Sequence, residues 1–214
     1  MKTEQTKFWE GEFGKSYTNR NTLNHEDWNQ SYVEKYGITK LELNNRLIGH
    51  LPKDSKILEV GCNTGQQLEG LQRQGFSQLY GIELQWYAVE QARSLLEQVN
   101  ILQGSGFDLP FRDRYFDLVC TNGVLIHIAP DDLPTIMEEM YRSSNRYIMG
   151  FEYYANEVTE INYRGNQGFM WKADYAQLFQ NQFPDLKVVK KEVVPYIVEA
   201  ERGNEDCLYL LEKS

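Results

Sequence analysis

Between residues 59 and 65 the chain reads Glu59-Val60-Gly61-Cys62-Asn63-Thr64-Gly65, an acid and two glycines behind the apolar pair Ile57-Leu58. Ile57, Leu58 and Val60 have the composition of a short buried strand. Leu68 and Leu71, three apart beyond the second glycine, mark one face of a following helix. A strand, a glycine turn and a helix N-terminus form a ligand cradle, because glycine lets backbone approach closely and the first helical N–H groups lack partners. The spacing Gly61-x-x-x-Gly65 puts Asn63 where a G-x-G-x-x-G dinucleotide fingerprint carries its middle glycine. That counts against NAD or FAD without excluding them. No Gly-Lys-Ser/Thr follows, which excludes a Walker A loop more firmly.

Other side chains with chemical potential follow later apolar runs. His127 lies in Asn122-Gly123-Val124-Leu125-Ile126-His127-Ile128. An imidazole with an ordinary pKa near ~6.5 can take a proton from a reacting group, although a lone histidine among apolar residues more often serves as a hydrogen-bonded structural group. Glu152, in Gly150-Phe151-Glu152-Tyr153-Tyr154, is a second candidate base, or a group that orients an acceptor. Arg164 sits in an aromatic stretch with Tyr163, Gly165, Trp171 and Lys172. Its guanidinium fork suits a carboxylate or phosphate, or an ion pair with Glu157 or Glu160.

The elements that must position these groups alternate. Apolar strands are expected at 56–60, 79–82, 101–102, 116–121 and 146–151, with helices over 66–73, 85–98 and from Pro130-Asp131-Asp132 onward, the last carrying Leu133, Ile136, Met137, Met140 and Tyr141 on one face. This order implies an α/β, doubly wound, mostly parallel sheet, with ligands beyond the carboxyl ends of its strands. Residues 186–194 and 206–211 read as an antiparallel pair closing one edge. Asp174 caps a short helix, and 153–173 reads as a substrate-side loop. Residues 1–52 form an aromatic-rich helical lid, in which Thr39-Lys40-Leu41-Glu42 fits a capping box, and the core runs from 53 to 214.

The totals set limits. A chain of 214 residues suffices for one α/β domain with a lid. A net charge of −9 argues against broad binding to nucleic acid. Cys62, Cys120 and Cys207 form no C-x-x-C pair, so neither a disulfide framework nor a metal site is expected. The polar N-terminus lacks the apolar segment of a signal peptide, and no apolar run is long enough to span a membrane. A cytoplasmic location with no membrane partner is expected. Nothing in the sequence fixes the oligomeric state.

Taken together, Glu59 to Gly65 resemble the first motif of class I S-adenosylmethionine-dependent methyltransferases, a Rossmann-like fold. The resemblance implies S-adenosylmethionine as cofactor and S-adenosylhomocysteine as product, held through Glu59, Gly61, Cys62, Asn63 and Gly65. It places Glu83, 22 residues after Gly61, on the ribose hydroxyls with Leu84 beside it. Gly104 to Phe111 resemble the adenine loop and bring in Ser105, Gly106 and Phe107. Many members carry an acid where this chain has Ser105. Asn122, Gly123 and Val124 fall on the fourth motif, near the methionine end. Tyr17 and Arg20 correspond to lid residues that close over the cofactor carboxylate. Phe8 to Tyr17 with Asn19-Arg20-Asn21, Gly123 to Ile128, and Tyr163-Arg164-Gly165 with Trp171-Lys172 resemble the methylases associated with pseudaminic acid biosynthesis. That similarity implies an acceptor among acidic nine-carbon sugars, their nucleotide-activated forms or amino-sugar precursors, with Tyr163, Arg164 and Trp171 at the substrate. A methyltransferase for another small natural product, a non-catalytic cofactor-binding sensor and an NAD-dependent oxidoreductase are the alternatives.

Overall fold

In the computed structural model, which describes residues 3–214, the alternating segments form a seven-stranded sheet. Its strands are β1 (Lys56–Val60), β2 (Gln78–Glu83), β3 (Asn100–Gln103), β4 (Phe116–Asn122), β5 (Ser144–Tyr153), β8 (Leu186–Pro195) and β9 (Glu205–Lys213). A separate two-stranded ribbon pairs β6 (Thr159–Glu160) with β7 (Trp171–Lys172). The main sheet runs β3-β2-β1-β4-β5-β9-β8. The first five strands are parallel, and β9 lies antiparallel between β5 and β8. The order reverses between β1 and β4. The crevice beyond their carboxyl ends is the expected ligand position in such a sheet.

Helices cover both faces. α4 (Lys40–Ile48), α5 (Gln66–Arg73) and α6 (Trp86–Leu95) pack on one, α7 (Leu133–Ser143) and α8 (Tyr175–Gln182) on the other. The apolar stripe of α7 does what its spacing predicts: Leu133, Ile136, Met137 and Met140 are all buried. Asp174 caps α8, its Oδ1 accepting from Gln177 N at 3.1 Å. α4 belongs to the core as well as to the N-terminal helices, since Leu43, Leu47 and Ile48 share a buried cluster with Ile57 of β1. Thr39 caps it, its hydroxyl accepting from Glu42 N.

Three further helices, α1 (Glu4–Glu10), α2 (Glu12–Asn21) and α3 (His25–Tyr36), lead into α4. Two expectations need correcting. The helix over 85–98 stops at Leu95, because Leu96 turns extended to bury its side chain beside Gly65, and Gln98 takes a left-handed φ of 62°. The unassigned loop 153–173 is organised by the β6–β7 ribbon, with a tight turn where Tyr163 and Asn166 exchange backbone hydrogen bonds. Two-residue strands carry too short an alternation to be visible in sequence.

Candidate active site

A cavity of about 630 Å³ opens beyond the carboxyl ends of β1, β2, β4 and β5, reaching from Glu83 and Gly106 to His127 and Arg164. The cradle residues Glu59, Gly61, Cys62 and Asn63 form one wall. Gly61 has φ 73°, and a Cβ there would lie 2.7 Å from Val124 Cγ2. Gly65, with φ 81°, is the N-cap of α5 rather than a wall residue, and Leu96 fills the space a side chain would need. The N–H groups of Gly61 and Cys62 both donate to Ile82 O, and those of Asn63 and Gly65 to Glu83 and Cys62 O. Four amides of the loop itself are thus already engaged, which leaves the first-turn N–H groups of α5 as the expected donors. Such a loop shapes a cavity but makes a poor anion nest, which counts further against a pyrophosphate.

Glu83 is the hub of one end of the cavity. Its Oε1 accepts from Gln85 N at 2.8 Å and its Oε2 from Asn63 N at 2.9 Å, leaving a lone-pair direction on each oxygen for a pair of hydroxyls. Burial pushes its carboxyl up, and the backbone bonds pull it back. Leu84, Ser105, Gly106 and Phe107 continue the wall. Ser105 Oγ is used locally, accepting from Phe107 N at 3.2 Å. A Cβ on Gly106 would come within 2.9 Å of Val60 and Ile136.

Glu59 is 3 % exposed, and its Oε2 has no hydrogen-bond partner among the described residues. Burial raises its carboxyl to about 8, against the pull of Lys40. An orphaned buried oxygen at a cavity wall suits a cationic or hydrogen-bond-donating ligand group. Asn122, Gly123 and Val124 line the next stretch. Asn122 Oδ1 accepts from Lys40 Nζ at 2.9 Å.

The acceptor end divides the predicted residues. His127 lies on the cavity, 8 % exposed, against Trp9 and Tyr163, with ring centroids 4.6 and 5.0 Å away. Its Nδ1 is 2.9 Å from Phe169 O. A carbonyl can only accept, so Nδ1 carries the proton and Nε2 keeps a lone pair. Burial lowers the imidazole to about 4, so it is neutral at pH 7. Glu152 is absent from the cavity wall. It is 1 % exposed and turned beneath the 3-10 turn Leu125–His127, accepting from Val124 N and Ile126 N at 3.2 and 3.4 Å. Its predicted catalytic role is corrected to positioning: it holds the loop that carries His127.

Tyr163 and Arg164 reach the cavity, and Arg164 has no ion-pair partner among the described residues. Glu160 accepts from Gly168 N instead. Trp171, predicted at the substrate, is buried and lies outside the cavity wall, and its backbone carbonyl accepts from Tyr175 OH. Tyr17 lines the cavity, whereas Arg20 is exposed and stands 5.9 Å from the Phe13 ring, outside the wall.

Several residues at the site carried no signal in the sequence. Gln85 Nε2 donates to Trp9 O and Gly11 O, both at 3.1 Å, and Thr18 donates to Asn63 Oδ1 at 3.0 Å and lies 3.3 Å from Gln85 Oε1. These bonds fasten α1 and α2 across the cradle. Lys40 is fully buried behind Asn122. Tyr32, Tyr36 and Asp206 form a deeper wall. A glutamine or a lysine is ordinary in any helix, and only the long-range fold brings these side chains together.

Comparison with known proteins bears on the fold. Residues 58–146 match the family described as methyltransferase domain. The PH0226 protein of Pyrococcus horikoshii superposes with a TM-score of 0.67 over 93 % of this chain and 95 % of its own, at 18 % identity. The chain has the class I methyltransferase fold. A second member of that fold, the 1,6-didemethyltoxoflavin-N1-methyltransferase of Burkholderia thailandensis with bound 1,6-didemethyltoxoflavin and S-adenosylhomocysteine, superposes with a TM-score of 0.66 over 95 % of this chain and 89 % of its own, at 15 % identity. Among curated sequences, an uncharacterized methyltransferase of Synechocystis is 31 % identical over 41 % of this chain and 41 % of its own length. The indolepyruvate C-methyltransferase of Streptomyces griseus is 27 % identical over 64 % of this chain and 44 % of its own. The matches thus span less than half the length of these curated relatives. No helix among the described residues is long and apolar enough to cross a membrane.

Proposed function

We propose that this chain transfers a methyl group from S-adenosylmethionine to a small-molecule acceptor. The observation that carries the reading is the continuous cavity from the Glu83 carboxylate, past the orphaned oxygen of Glu59, to the neutral imidazole of His127. In this reading Glu83 takes the ribose hydroxyls, Ser105, Gly106 and Phe107 the adenine, and Glu59 with Gly61 the amino-acid end. When bound, the cofactor supplies a methyl group already activated by a sulfonium. The protein's task is then alignment and exclusion of water. Trp9, Tyr17 and Tyr163 wall the cavity, and Gln85 holds the covering helices in place. His127 Nε2 accepts a hydrogen bond from the acceptor, orients it and receives its proton.

For the acceptor, the finer reading is an acidic nine-carbon sugar of the pseudaminic type, its nucleotide-activated form or an amino-sugar precursor. The exposed Arg164, beside Tyr163 at the cavity edge and without an ion-pair partner among the described residues, supports it, since a guanidinium recognises carboxylate or phosphate. A different natural product is the second reading. It is favoured by the relatives named above, whose activities concern indolepyruvate and 1,6-didemethyltoxoflavin. These also include carbon and nitrogen as the methylated atom.

The test is incubation with methyl-labelled S-adenosylmethionine and a panel of amino sugars and acidic nine-carbon sugars, free and nucleotide-linked. Calorimetric titration of S-adenosylhomocysteine runs alongside. Label in one sugar is the expected result, and Glu83→Ala should weaken product binding by ~1–3 kcal/mol through lost ribose bonds. Product binding with label in no acceptor of any class would favour the sensor, and no product binding would end the transferase reading. Arg164→Ala should raise KM for an acidic acceptor and leave product affinity unchanged. Equal kinetics on charged and neutral acceptors would remove Arg164 from the site.

A further inference from the structure

Away from the cradle, the cavity ends on a carboxylate that the chemistry above leaves unused. Asp206, the second residue of β9, pairs in register with Tyr153 at the end of β5 and is 2 % exposed, yet it forms part of the cavity wall. Tyr36 OH donates to its Oδ2, and Tyr196 OH to its Oδ1 at 3.1 Å. Each oxygen therefore retains acceptor capacity.

Aromatic rings surround it. Tyr36 lies 5.5 Å from Phe151 and 5.2 Å from Tyr196, and Tyr153 lies 6.2 Å from Tyr196. The neighbouring cations have other partners: Lys35 Nζ is 3.6 Å from Glu201 and 4.5 Å from the Tyr196 ring centroid, and Lys40 Nζ donates to Asn122 and stands 4.0 Å from the Phe151 ring centroid. Neither comes within ion-pair distance of Asp206; burial pushes its carboxyl up, and the tyrosine bonds and the more distant charges of Lys35 and Lys40 pull it back. A buried carboxylate beside aromatic rings, in direct ion-pair contact with no described cation, is an environment for an ammonium group. The carboxylate supplies charge, and the ring faces supply cation–π attraction.

We propose that Asp206, with Tyr36 and the ring of Tyr153, is a specificity site for a primary amine carried by the methyl acceptor. The inference rests on the transferase reading for the word acceptor, and it deepens that reading by naming a functional group. With Arg164 at the cavity edge, the cavity then carries one site for an acidic group and one for a basic group, as an amino-bearing acidic or nucleotide-linked sugar requires. A purely structural latch, joining α3 to the start of β9, would account for the two tyrosine bonds but would give no selectivity for amines.

The experiment titrates the protein, with and without saturating S-adenosylhomocysteine, with three matched pairs: glucosamine and glucose, galactosamine and galactose, phenethylamine and phenethyl alcohol. Binding is followed by tryptophan fluorescence. At least one amine should bind about tenfold more tightly than its hydroxyl partner. Asp206→Asn should bring that ratio to within about twofold, and Tyr36→Phe, which spares the carboxylate if the first variant folds poorly, should lower it by about threefold. Product affinity should stay unchanged in both. Equal binding of amine and alcohol by the unmodified protein, no binding of any amine, or a preference that survives Asp206→Asn would overturn the proposal. Amine selectivity without binding of S-adenosylhomocysteine would overturn the transferase reading and leave the amine site standing.

Discussion

Gly61→Arg should abolish measurable binding of S-adenosylhomocysteine, a fall of at least about 100-fold, or about 3 kcal/mol. Two independent effects act at this residue. Its φ of 73° lies in the left-handed region, where an L side chain costs ~1–2 kcal/mol. Its Cβ would also lie 2.7 Å from Val124 Cγ2, and Val124 cannot easily retreat because its N–H is tied to Glu152. The arginine is thus forced into the cavity that the glycine leaves open. Gly61→Ala shares the strain and the first contact but not the bulk, so it should lose ~1–3 kcal/mol of stability and keep part of the affinity. Calorimetry with a far-ultraviolet dichroism control separates the two effects. A folded Gly61→Arg protein that binds the product within about threefold of the unmodified one would remove this loop from the cofactor site.

Gly61 and Glu83 were legible because each announces itself locally. A glycine bracketed by apolar strand and helix, and an acid closing the next strand, fit few roles besides a ligand cradle within a β/α alternation. The same local logic failed for Glu152. Its position at the end of β5 is right for a site residue, but strand alternation turns its side chain under the neighbouring turn. There the amides of Val124 and Ile126 bind it. Trp171 failed for a related reason, since the β6–β7 ribbon that buries it has strands only two residues long. Lys40 shows the opposite limit. At the first position of α4, beside a capping threonine, it reads as a solvated helix residue. Only the packing of α4 against the sheet carries it into the interior.

That interior position predicts the largest stability effect. Lys40 is 0 % exposed. Its ammonium donates to Asn122 and stands 4.0 Å from the Phe151 ring centroid. Burial lowers it to about 8, opposed by the Glu59 carboxylate. Replacing it with methionine fills the space but leaves Asn122 Oδ1 without its donor and Glu59 without its cation. The expected loss is ~3–5 kcal/mol, a drop of about 6–20 °C in Tm for a chain of this size. Its pH dependence has a definite sign. Glu59 is raised from 4.5 to about 8 in the folded protein, so its contribution is fully present below 4.5 and is lost as pH rises through 8. Without Lys40 that carboxyl moves higher still, and the loss continues beyond pH 8. In the unmodified protein Lys40 acts oppositely over the same range. The folded state releases its proton near 8 while the unfolded chain holds it to 10.5, so stability rises with pH there. The penalty of Lys40→Met should therefore be larger at pH 9 than at pH 7. At pH 9, where the Glu59 carboxyl must either ionise unpaired or hold its proton at a cost, adding Glu59→Gln should recover at least ~1 kcal/mol of it. Urea melts of the two single variants and the double variant at both pH values supply the cycle. Additive losses with no pH dependence would mean that Lys40 and Glu59 do not sense one another.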